Sequence, residues 1–140
     1  MKILRSIEAM AIINPQLCKQ KTIQVEVEQR NEGMLPHLHV YHDKTRNPRK
    51  CSYIRLDKPI YSEHHKNAKK LPRDLKKEFI EVMSTPWKSH VVEDVNGIRT
   101  ATGYEAAVSI WSETFEDGSL DRFSKDENGN LIMPDYKNEL

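Results

Sequence analysis

The sequence predicts an α+β fold: a short antiparallel sheet of three to four strands with two or three helices packed on one face. Three observations carry this. Residues 21–28 alternate apolar and polar side chains, and residues 37–42 set histidines in alternation with Leu38, Val40 and Tyr41, the two-residue period of a half-buried strand. Residues 72–85 and 102–116 instead repeat their apolar positions at helical spacing. At 140 residues the chain is long enough for one compact core.

Taken in order, residues 2–13 place Ile3, Ile7, Met10 and Ala11 at helical spacing, and Asn14-Pro15 stops them, so a helix is expected there; Ile12-Ile13 leaves a strand open. The segment 21–28 is the first clear strand. Residues 30–35 read as a loop, 37–42 as a second strand, 43–50 as a charged turn and 51–56 as a third strand, which together make a meander with local connections. Residues 57–70, with Pro59 and His64-His65, read as an exposed connection. Pro72 then opens a helix whose stripe is Leu75, Phe79, Val82 and Met83, ended by Thr85-Pro86. Val91-Val92 and Asn96-Gly97 suggest a short hairpin. The last helix carries Tyr104, Ala107, Val108, Trp111 and Phe115 and stops at Gly118. This gives a single domain over 1–118 and an acidic extension over 119–140, packed on the domain or trailing from it, with a turn at 127–130 and Leu131-Ile132-Met133-Pro134 as its apolar anchor.

Apolar residues make up 37% of the chain and charged ones 31%, so the core is modest. No apolar run approaches the ~18 residues of a membrane span, and Arg5, Ser6 and Glu8 interrupt what would be a signal peptide. Cys18 and Cys51 read as free thiols, which points to the cytoplasm. The net charge of +1 hides an asymmetry. Residues 43–77 hold twelve Lys and Arg against four acids, whereas 113–140 hold eight acids against three bases. The basic region Lys44–Lys77 is therefore a candidate for phosphate or nucleic-acid contact, with mutual neutralisation of the two halves as the plainer use.

Three of the six histidines fall within 37–42. If Ile23, Val25, Val27, Leu38, Val40, Ile54 and Leu56 face the core, the opposite face presents Gln24, Glu26 and Glu28, then His37, His39 and Tyr41, then Cys51, Tyr53 and Arg55. Arg46 and Lys50 flank it. Recognition is the first chemistry that face suggests, through Glu26, His37, His39, Tyr41, Tyr53, Arg55, Arg46 and Lys50, because tyrosine and arginine concentrate in binding hot spots. An alternative is acid–base cleavage of RNA or a nucleotide by His37 and His39 with Arg55 on the phosphate. In a metal-dependent version, His37, His39 and Glu26 would hold zinc. There is no phosphate loop, nucleophile elbow, C-x-x-C or dinucleotide fingerprint.

The stretch Pro36-His37-Leu38-His39-Val40, followed by the basic turn and by Leu71-Pro72-Arg73 opening a helix, resembles a family of small bacterial proteins of unknown function. That family is marked by Pro-Pro-His-Phe-His-Val and a later amphipathic helix. The likeness covers roughly residues 34–85; His37, His39 and Val40 match, while Leu35 and Leu38 replace the first Pro and the Phe. The segments 103–111 and 133–136 look similar to uncharacterised proteins of bacterial genomes and mobile elements. The resemblance implies a context near toxin–antitoxin or defence loci and no catalytic residue. The sequence thus points to a cytoplasmic binding or regulatory protein acting on a macromolecular partner, a protein first, with no cofactor, no membrane and an open oligomeric state.

Overall fold

The computed structural model describes residues 2–3, 10–28, 35–62, 69–112 and 120–140, and these form an α+β fold. Its principal sheet is antiparallel and has the order β2-β3-β4-β5, with β2 at Met10–Ile12, β3 at Gln24–Glu28, β4 at His37–Tyr41 and β5 at Cys51–Arg55. A second sheet has the order β1-β6-β7, with β1 at Lys2–Ile3, β6 at Pro86–Asp94 and β7 at Gly97–Thr102. The longer helices are α2 (Arg73–Ser84) and α3 (Gly103–Ser112), and single turns form α1 (Pro15–Cys18) and α4 (Tyr136–Glu139).

The meander forms in the expected order, and its register decides the faces. Val25 pairs with Val40 and Leu38 with Ile54, and all four are fully buried. The helix expected over 2–13 is a correction. Both described ends of that stretch are strands: Ile3 pairs with Val92, and Ala11 with Val27. Residues 4–9 lie outside the described residues. The physical reason is tertiary. The β-branched Ile12-Ile13 pair disfavours helix, and the open edge of β3 offers backbone partners that helical spacing cannot see. Ile13 donates its N–H to Val25 O at 2.8 Å and buries its side chain completely.

Asn14 follows in left-handed backbone (φ 47°), which Asn tolerates better than most residues. From there its side-chain amide donates to Val82 O at 2.7 Å and Thr85 O at 2.9 Å, so the end of β2 closes the C-terminus of α2. Gly103 N donates to the same Thr85 carbonyl at 3.0 Å, bringing the start of α3 to this point.

The helix from Thr102 onward opens with a reciprocal cap. Thr102 Oγ1 accepts from Glu105 N, and Glu105 Oε1 accepts from Thr102 N. The expected stripe of α3 understates its burial: every residue from Gly103 to Ser112 is enclosed. It packs on β3 of one sheet, on β6 and β7 of the other and on α2. A helix apolar around most of its circumference sits inside a core rather than on it. The second hairpin is also longer than expected, running from Pro86 to Thr102 around Gly97 at φ 113°.

The connection after β5 is a second correction. Its described part, 57–62, turns back on the strand instead of standing free. Arg55 N donates to Ile60 O and Ser62 N to Tyr53 O, and Tyr61 bridges to Ile54. His64-His65 and the stop at Gly118 lie outside the described residues. The tail from 120 onward packs on the domain: Phe123 meets Trp111, and Tyr136 stacks edge-on to Phe79 at 5.1 Å and donates its hydroxyl to Arg55 O at 2.5 Å. No described helix is long and apolar enough to cross a membrane.

A Cβ at Gly103 would come within 2.3 Å of Val82 O and 3.0 Å of the Asn14 amide. Gly103→Ala therefore forces α2 and α3 apart, and urea denaturation should show a loss of about 2 kcal/mol or more.

Candidate functional site

The alternation that buries Val25, Val40 and Ile54 turns their neighbours to the other face. Glu26 pairs with His39, His39 with Tyr53, and His37 with Arg55, while Tyr41 lies between Gln24 and Cys51. Ile12 pairs with Glu26 and extends that row to the edge strand.

Glu26 sits at the centre with only 4% of its surface exposed. Its carboxylate accepts from Arg46 Nε and Nη2 at 2.8 and 2.9 Å and from Gln24 Nε2 at 2.7 Å. The bidentate geometry offsets a desolvation cost that a lone buried carboxylate could not carry. Arg46 reaches it from a left-handed backbone (φ 55°), a conformation that costs a bulky residue about 1 kcal/mol. Its guanidinium lies 5.6 Å from the Tyr41 ring centroid.

His37 and His39 stack at 5.3 Å with planes 19° apart, and Tyr53 meets His39 edge-on at 5.0 Å. His37 Nδ1 lies 2.9 Å from Leu35 O, so this nitrogen carries the proton and donates. Burial pushes the Cys51 thiol up to about 11 and the Tyr53 phenol up to about 12, and raises Tyr41 as well. Near neutral pH neither the thiol nor these phenols ionise, and all three lie buried beneath the part-exposed imidazoles of His37 and His39 and the closed ion pair.

Of the sequence-nominated residues, Glu26, His37, His39, Tyr41, Tyr53 and Arg55 share this face, and Arg46 folds over it. Lys50 stands apart in the turn Pro48–Lys50, 3.8 Å from Asp43. Arg55 is committed: Asp57, itself 3% exposed, takes it in two bonds of 2.8 and 2.7 Å. For a metal, no three His, Cys, Asp or Glu side chains converge among the described residues, and both Glu26 oxygens are engaged.

A cleft of about 580 Å³ adjoins the face at its β2 edge, lined by Ala11, Ile12, Pro15, Gln24, Glu26, Arg46, Trp87 and Ser89. The sequence nominated neither Trp87 nor Ser89 for a site, since both arrive on β6 from the other sheet. Their two-residue spacing was the one signal available.

No family model, curated protein or solved structure matches this chain. The likeness over 34–85 thus rests on its short motifs and brings no site residue with it.

On the sheet's other side, His42 Nε2 lies 2.8 Å from Ser52 Oγ, which donates to Lys69 O at 2.6 Å. Burial holds this imidazole below its ordinary 6.5, against a smaller upward pull from Asp43.

Two outcomes follow. Arg46→Ala leaves the Glu26 carboxylate without its cation and should lower the urea midpoint, with Glu26→Gln added in the same chain recovering part of the loss. For His42, the unfolded chain binds the extra proton first, so its contribution is full above 6.5 and drains away as pH falls through the depressed folded value. Urea midpoints taken from about pH 7.5 to about 5.5 should fall less steeply in His42→Gln than in the wild type.

Proposed function

We propose that this chain is a non-enzymatic binding protein that holds a protein partner against the imidazole–tyrosine face and the adjoining cleft. The observation that carries the reading is the state of the polar groups there. Glu26 is closed by Arg46, Arg55 is closed by Asp57, and the Cys51 and Tyr53 protons stay on near neutral pH. What the face offers a neighbour is therefore the part-exposed imidazoles of His37 and His39, the exposed Arg46 and the half-exposed Ile12, set on the buried rings of Tyr41, Tyr53 and Trp87. Rigid aromatic groups around a fixed ion pair lose little entropy on binding, which favours recognition over chemistry.

Two free, buried cysteines support a place in a reducing cytoplasm. The motif likeness supports a role as an inhibitor or regulator in conflict between bacteria and mobile elements. The competing reading, a hydrolase acting on RNA or a nucleotide, would use the stacked His37 and His39.

The test is capture from bacterial lysate with four immobilised chains: wild type, His39→Ala, Ile12→Asp and the distant Lys137→Ala. A stoichiometric protein retained by wild type and Lys137→Ala, and held at least about tenfold less by the other two, is the expected result. Equal retention by all four would remove the site. RNA cleavage that disappears in His37→Ala and His39→Ala would replace the reading with the hydrolase.

A further inference from the structure

The basic middle of the chain divides in two once folded. Lys44 donates its ammonium to Cys18 O at 2.5 Å and to Ile23 O, Arg46 is bound to Glu26, and Arg55 to Asp57. These three serve the interior. Six of the others gather toward the β5 edge of the sheet, opposite the cleft. Lys69 N donates to Cys51 O at 3.1 Å, and Ser52 Oγ donates to Lys69 O, so the chain entering α2 is pinned along the start of β5.

That pairing sets Lys69 and Lys70 beside Arg49 and Lys50, which precede Cys51 in the chain. Arg73 and Lys77, four residues apart on one side of α2, carry the line onward. All six are exposed. Lys50 has Asp43 at 3.8 Å, and among the described residues none of the other five is in an ion pair. The acids of α2 do little to cancel them. Glu78 accepts from Thr22 N, Glu81 pairs with Lys21, and only Asp74 stands in the strip.

We infer that this strip is a docking surface for the phosphate backbone of a duplex nucleic acid, gripped without regard to sequence. A row of exposed cations, five of the six in no ion pair among the described residues, is what a regular phosphate array rewards, through release of its counterions. Single strands are held by rings on which bases stack. Among the described residues the strip shows no exposed ring, and neighbouring Tyr61 has its hydroxyl tied to Leu71 N at 2.9 Å. A duplex, with its bases already stacked, needs only the charges. The surface stands apart from the protein-binding face and does not rest on that reading.

The test is fluorescence anisotropy of a labelled DNA duplex of about 20 base pairs at rising salt, beside one of its strands alone. Engagement of about four to five phosphates should weaken binding on the order of 100-fold or more between 50 and 200 mM salt. Lys69→Glu with Arg73→Glu should cost at least about tenfold and flatten the salt slope by about two. Lys70→Glu with Lys77→Glu repeats the test should the first pair disturb folding, judged by circular dichroism. Lys125→Glu with Lys137→Glu, the same change of charge on the C-terminal segment, should stay within about twofold. Equal losses in that control, tighter binding of the single strand, or no salt-dependent binding would each overturn the inference.

Discussion

Three strands in unslipped register place the side chains of the imidazole–tyrosine face. Val25 against Val40 and Leu38 against Ile54 point inward together. A slip of one residue in any strand would expose aliphatics worth about 1.5–3 kcal/mol each in burial and drive an imidazole or a carboxylate into the core. The polar face therefore needs no device of its own to hold its order. It inherits that order from the packing behind it.

Charge placement follows the same logic at finer scale. Glu26 in the middle of a sheet face would be costly alone, and Arg46 answers it from a turn whose backbone is bent into an unfavourable conformation to do so. Lys44, from the same turn, spans to the carbonyls of Cys18 and Ile23 and ties that turn to the chain entering β3. A stretch that reads as one basic block is thus partly scaffolding and partly surface. Hydrogen bonds made by Lys69 decide where the surface part lies.

The two sheets are held to one another through α3 and through the junction at Asn14. One side-chain amide closes the end of α2, and the same carbonyl of Thr85 receives Gly103. The C-terminal segment completes the enclosure. Its Tyr136 hydroxyl reaches the last carbonyl of β5, and Tyr104 from α3 reaches the next one, at Leu56. These bonds fix the end of the strand that carries Tyr53 and Arg55, so the site's geometry depends on residues far from it in the chain.

Read along the chain alone, strands within 21–28, 37–42 and 51–56, a helix within 72–85 and the side of the sheet on which Glu26, His37, His39, Tyr41, Tyr53 and Arg55 emerge were all legible. Alternation and helical spacing are local patterns, and short connections leave a meander little freedom. Tertiary structure alone decided that Met10–Ile12 is a strand, because an edge of β3 awaited it, and that α3 is enclosed on all sides. It also decided which charges are used up and which stay open, that Trp87 and Ser89 close a cleft beside Glu26, and that Lys69 comes to rest against Cys51. Each of those outcomes depends on contacts between residues distant in the chain, and no periodicity along a single segment records them.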